Sequence, residues 1–199
     1  MIKAIFFDYH GVLDKRTFKN LINLIAKLSF NHEDEISEKD HIDRIFEKYE
    51  KLGSSYASGK IAPKTFWTML EKDPSTKHIV NKAREYIFTI EPNKELWDLL
   101  PVLRKKYILG ILSNCPEEKA SLIMKTLNIN NNFDACYFSC DYGLSKTNAE
   151  FFDLMLMGFN FSKEECLFID DSEDNIEFAK NLGFQTQLYT GIDSIKKFL

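Results

Sequence analysis

Four short, almost wholly apolar runs recur along this chain, and polar or acidic residues follow each of them. They cover 2–7, 107–112, 135–138 and 166–169, with a weaker fifth over 184–189. Such runs read as strands buried on both faces, as in a parallel sheet. Helical patterns separate them. Leu96, Leu99, Leu100 and Leu103 share one face. Pro116 suits a first helical position, with Ala120, Ile123 and Leu127 spaced behind it. Phe151, Phe152, Met155 and Phe159 form another stripe. Ile176, Ala179 and Leu182 form the next, and Gly183 stands where a helix C-terminus favours a left-handed residue. Strand alternating with helix predicts an α/β fold, a parallel sheet covered by helices on both faces.

The alternation stops from Lys15 to Thr89, where helix follows helix. Phe18, Leu21, Ile22, Ile25 and Leu28 recur at helical spacing, as do Ile42, Ile45, Phe46, Tyr49 and Leu52. Pro63 opens a third pattern with Phe66, Trp67 and Leu70, and Ile79, Val80, Ala83, Tyr86 and Ile87 form a fourth. Breaks fall at 31–35, at 53–59 and at Asp73-Pro74. The expected organisation is a core of residues 1–14 and 91–199 with an all-helical module, 15–90, inserted after the first strand and turn. Trp67 and its aromatic neighbours are expected in the core of that module, and His32, His41 and His78 on its surface. Asn130-Asn131-Asn132 reads as a solvated loop.

A chain of 199 residues accommodates one domain carrying such an insertion. It is long enough to bury about 70% of its unfolded surface. The net charge of −4 offers no basic field for nucleic acid or an acidic membrane, so an anionic substrate needs local positive charge or a metal. Cys115, Cys136, Cys140 and Cys166 form no C-x-x-C pair and read as free thiols in a reducing cytoplasm. The first apolar run stops at Asp8 without a signal-peptide cleavage pattern, and no run is long enough to span a bilayer.

In open α/β sheets, ligands collect at the carboxyl ends of the strands. Asp8-Tyr9-His10-Gly11 follows the first strand and Ser113-Asn114 the second. Ser145-Lys146 lies beyond the third and Asp170-Asp171 ends the fourth. These groups suit a divalent cation, a phosphoryl group and a carboxylate nucleophile. The segments IFFDYHGVL, ILSNCP, GLSKTNAEFF and CLFIDDSEDNIEFAKNLGF, in that order, resemble the haloacid dehalogenase-like hydrolase superfamily. The resemblance covers both parts of the core, and the insert has the length and position of that family's helical cap. It implies a Rossmann-like sheet with the first strand central, between the strands that carry Ser113 and Asp170.

The resemblance also implies a reaction: Mg²⁺-dependent hydrolysis of a small phosphorylated metabolite through an aspartyl-phosphate on Asp8. A carboxylate attacks phosphorus when held in line beside a hard cation. The implied Mg²⁺ ligands are Asp8, the backbone carbonyl of His10 and Asp171, with Asp170 acting through water or by holding Lys146. Ser113 and Asn114 would donate to the phosphate, and Lys146 would supply positive charge beside Asp8. Asn175 either orients the acidic loop or caps locally, and Lys15 and Arg16 fall where a gate or substrate contact is conceivable. Position 10 departs from the family. Its phosphatases carry Asp there as acid and base, its dehalogenases Tyr and its phosphonate-cleaving members Ala, whereas this chain has His10. Two alternatives follow: a catalytically weak member that binds a phosphorylated ligand or a protein partner, and a haloacid dehalogenase.

Overall fold

The computed structural model describes residues 1–30, 37–74 and 76–199. The expected break at 31–35 and His32 lie outside the described residues. Five strands, β1 (Ala4–Phe7), β2 (Ile108–Ser113), β3 (Ala135–Phe138), β4 (Cys166–Asp170) and β5 (Gln185–Leu188), form one sheet. The order is β3-β2-β1-β4-β5 and every pairing is parallel, so β1 is central as expected. Eleven α-helical segments are described: α1 (Phe18–Ser29), α2 (Glu38–Ala57), α3 (Pro63–Lys72), α4 (Val80–Phe88), α5 (Lys94–Leu103), α6 (Glu117–Thr126), α7 (Ile129–Asn132), α8 (Ser139–Tyr142), α9 (Ala149–Asp153), α10 (Glu173–Asn181) and α11 (Asp193–Lys196).

The two-residue period of β1 divides its side chains between two hydrophobic clusters. Ile5 and Phe7 pack with Leu96, Leu100 and Leu103 of α5 and Ile123 of α6. Ala4 and Phe6 pack with Phe151, Phe152, Met155, Phe168 and Phe184. A third cluster belongs to α1–α4 and the turns between them; Ile25, Tyr49, Phe66, Trp67, Leu70 and Ile87 are among its members. Tyr56 and Phe66 stack there with ring centroids 4.1 Å apart.

The chain leaves and re-enters the sheet side by side. Asp14 bridges Pro92 in antiparallel sense, and the Lys15 N–H donates to the Glu91 carbonyl at 2.9 Å. The buried Asp14 carboxylate accepts from the N–H groups of Arg16 (3.1 Å) and Glu91 (3.2 Å) through Oδ1. Its Oδ2 takes the buried Lys119 ammonium at 3.2 Å, and that ammonium also donates to the Thr89 carbonyl at 2.7 Å.

Some local expectations fail for identifiable reasons. α2 runs through Gly53 to Ala57, because burial of Tyr49 and Tyr56 on either side outweighs glycine's cost of about 1 kcal/mol. Pro116 is extended and caps α6 instead of opening it. Asn130–Asn132 belong to the single turn α7, anchored by buried Ile129 and by Arg104, which donates to the Asn131 carbonyl. The Phe151 stripe breaks after a 3₁₀ turn at Leu154–Leu156, and Phe159 instead stacks on Phe161. His78 is exposed, but His41 is half-buried, with its Nε2 2.9 Å from the Ser29 hydroxyl. All four cysteines are free thiols; Cys115 and Cys166 are buried, and Cys136 and Cys140 partly so. Among the described residues no helix is long and apolar enough to cross a membrane.

Candidate active site

Parallel pairing puts the carboxyl ends of β1, β2 and β4 side by side, and with them Asp8, Ser113 and Asp170. The Asp8 N–H donates to the Ile169 carbonyl at 2.8 Å, tying the turn after β1 to the end of β4. Asp8 Oδ1 accepts from the Tyr9 N–H (2.6 Å), the Ser113 hydroxyl (2.7 Å) and the Lys146 ammonium (2.7 Å). Three donors on one oxygen hold the carboxylate in a single orientation.

Lys146 comes from the loop between α8 and α9. Its N–H donates to the Asn114 side-chain oxygen at 3.0 Å, and its ammonium lies 2.7 Å from both Asp8 and Asp170. Burial alone would lower its pKa, but the two carboxylates more than offset that and raise it. Asp170, fully buried, also accepts the Ser172 N–H at 2.8 Å and the Asn175 amide at 3.1 Å on both oxygens. Asn175 therefore orients the acidic loop, while Ser172 caps α10.

Carboxylate oxygens of Asp8, Asp170 and Asp171 lie within 4.8 Å of one another. One ammonium, that of Lys146, bridges two of these three acids, so negative charge is left uncompensated. The strain falls on Asp171, whose carboxyl is pushed up to about 6, first by burial and then by Asp8 and Asp170. Burial also raises Asp170, against the pull of Lys146. The donor set is all oxygen and acidic, which fits a hard divalent cation. Gly11 makes the cluster sterically attainable. Its φ is +85°, and a Cβ there would lie 2.3 Å from Asp171 Oδ2.

His10 is half-buried with Nδ1 3.5 Å from the Ser113 hydroxyl and its ring edge-on to Tyr9. Burial, then the Lys119 and Lys146 charges, lower its pKa to about 3 against the opposing Asp14. These charges and burial favour the uncharged ring, and a cation bound beside it would push in the same direction.

The cluster opens into a cavity of about 740 Å³ between the strand ends and α1, α2 and α4. Asp8, His10, Asn114, Lys146, Asp171 and Asn175 line it; Ser113 lies beneath Asp8 and Asp170 beneath Lys146. Lys15 is exposed and does not line it, whereas Arg16 does. Asp14, Glu118 and Lys119 are absent from the residues singled out for the site by sequence reasoning. Lys119 lines the cavity, and Glu118 accepts from the Tyr56 hydroxyl and the Trp67 indole N–H. The one sequence signal for Lys119 is its place beside Ala120 and Ile123 on the buried face of α6.

A D-ribitol-5-phosphate phosphatase of Bacteroides thetaiotaomicron is 28% identical over 207 aligned positions, covering 94% of this chain and 91% of that relative. A HAD-family enzyme from the same organism, solved in complex with magnesium and inorganic phosphate, matches at a TM-score of 0.73 and 25% identity over 100% of both chains. The L-2-haloacid dehalogenase of Xanthobacter autotrophicus shares the fold, at a TM-score of 0.63 and 17% identity, over 99% of this chain and 82% of that one. The model of the haloacid dehalogenase-like hydrolases matches residues 2–183. The chain belongs to the haloacid dehalogenase-like hydrolase family.

Proposed function

We propose that the protein is a magnesium-dependent phosphomonoesterase in which Asp8 is the nucleophile. One observation carries the reading: the Asp8 carboxylate, oriented by Ser113 and Lys146, stands at a 740 Å³ cavity with two further carboxylates within 4.8 Å. Asp8, Asp171 and the His10 carbonyl would hold Mg²⁺, with Asp170 holding Lys146 and reaching the ion through water. When bound, the ion neutralises phosphoryl charge and offsets the repulsion among the acids. The relative's substrate makes D-ribitol 5-phosphate the first ester to test, and free thiols suit a cytoplasmic setting.

Asp8 attacks phosphorus, the ester P–O bond breaks, and the leaving oxygen takes a proton from solvent water. Water then attacks the aspartyl-phosphate, yielding inorganic phosphate and regenerating Asp8. Lys146 and the Ser113 and Asn114 region stabilise phosphoryl oxygens. With its pKa pushed down to about 3, His10 is a weak base toward the attacking water and, being unprotonated, a poor acid for the first step. Residues 15–90 act as a cap that covers the cavity and keeps bulk water from the intermediate.

The test is phosphate release from a panel of esters with Mg²⁺ or chelator. Asp8→Asn abolishes release, and chelation does the same. Alkyl esters turn over slowly relative to p-nitrophenyl phosphate, and His10→Asp narrows the gap by about tenfold or more, the usual worth of a general acid. Release that survives Asp8→Asn removes Asp8 as nucleophile. His10 also motivates a second reading, a member that binds a phosphorylated ligand without turnover. Ligand-induced stabilisation with silence on every ester would select it, and metal-independent halide release would point to dehalogenation.

A further inference from the structure

We infer that Glu50 selects esters whose leaving group is uncharged and rich in hydroxyls, and turns away those carrying a second anion. The inference rests on the phosphomonoesterase reading and concerns the body of the substrate rather than its phosphate. Three cationic side chains line the cavity, Arg16, Lys119 and Lys146, and each is engaged within the protein. Lys146 is shared by Asp8 and Asp170, and Lys119 is held by Asp14 and the Thr89 carbonyl. The Arg16 guanidinium lies 4.6 Å over the Tyr86 ring, donates to the Tyr86 carbonyl at 3.3 Å and faces the Glu91 carboxylate at 3.6 Å, although its Nε makes no hydrogen bond among the described residues. A second anion on the substrate therefore meets, among the described residues, no cation without a carboxylate partner in the protein.

Among the described residues, Glu50 is the other charged group that the segment 15–90 brings to the cavity. It is exposed, and no hydrogen bond or ion pair reaches it from the described residues. It shares one face of α2 with Phe46, Gly53, Ser54 and Ala57, all of which line the cavity. Gly53 puts bare backbone on that face in the middle of a helix, at a position that lines the cavity. The wall thus offers a carboxylate acceptor and a hydroxyl. Sugar-alcohol hydroxyls donate to such a wall, whereas a carboxylate or second phosphate meets like charge, reinforced by Glu173 and Asp174 at the same cavity.

The experiment compares kcat/KM, with Mg²⁺, for two five-carbon esters of equal length. One is an alditol 5-phosphate and the other the aldonate 5-phosphate, with a carboxylate at the far end. The native protein prefers the alditol ester by about tenfold or more, as expected for an unpaired like charge. Glu50→Gln brings the two within about threefold, chiefly by lowering KM for the aldonate ester, and Glu50→Lys inverts the order. Equal rates on both esters in the native protein, or a ratio unmoved in both variants, overturns the assignment while phosphate release itself stands. Absence of Mg²⁺-dependent release from every ester, p-nitrophenyl phosphate included, overturns the phosphomonoesterase reading and this assignment with it.

Discussion

Gly11 couples two loops that are distant in sequence. Its positive φ is costly for any other residue, and the space a side chain would need is already occupied by the Asp171 carboxylate. Gly11→Ala should therefore displace Asp171 and weaken Mg²⁺ binding more than it weakens the fold. Calorimetric titration set beside a urea melt separates the two effects. A melt shifted by more than about 2 kcal/mol with unchanged Mg²⁺ affinity would reverse that assignment. As a proposed Mg²⁺ ligand, Asp171 would also set the pH response of the site. Its carboxyl is raised to about 6 in the free protein, so acid protonates a group that the cation needs ionised. Mg²⁺ affinity is then full above that pH and falls by about tenfold per unit below it. Isothermal titration at pH 7.0, 6.0 and 5.0 checks the slope, and a flat response shows that Asp171 is not the competing ligand.

Between elements, α2 and α3 dock on the core through few polar contacts. Glu118 at the start of α6 accepts from the Tyr56 hydroxyl and, at 3.1 Å, from the Trp67 indole. The Ser139 hydroxyl donates to the Ala57 carbonyl, while its oxygen accepts the Cys115 N–H. Beside them Gly59, at φ +71°, would place a Cβ only 2.8 Å from the Cys140 carbonyl, so the helical segment meets α8 at backbone distance. Glu118→Ala strands two donors on the other side of this contact. It should cost about 1–3 kcal/mol, with Glu118→Gln recovering part of the loss. Urea denaturation of both variants measures it, and equal losses would mean that the contact depends on charge alone.

Across the whole molecule, the buried Asp14–Lys119 pair joins the outgoing chain, the returning chain and α6. Lys119→Met leaves Asp14 buried with backbone partners only, at a cost of about 3–5 kcal/mol; Asp14→Asn in the same chain should restore a large part of it. Additive losses in that double-mutant cycle would show that the two side chains act separately. Because α1–α4 have a hydrophobic cluster of their own, the loss should fall on how they are held against the sheet more than on the helices themselves.

The apolar runs made the strands legible, since a continuously apolar segment is stable only when covered on both faces, and Asp8, Ser113 and Asp170 at their ends marked where ligands collect. Pro63 and Gly183 punctuate helices through their own backbone preferences, and both lie where local chemistry puts them. Other features depended on packing. Gly53 inside α2 and the turn at Asn130–Asn132 contradict local preference because buried neighbours outweigh it. Asn175 turned toward Asp170 once β4 and α10 were in place. Lys146 reaches Asp8 only because β1 lies between β2 and β4, and Lys119 reaches Asp14 only because the chain re-enters beside the point where it leaves. Backbone propensity and apolar period act over a few residues, so the sequence by itself determined the elements and the chemical types at their ends. Which charges meet across more than a hundred residues depends on strand order and chain crossing, and those are set by the packing of the whole molecule.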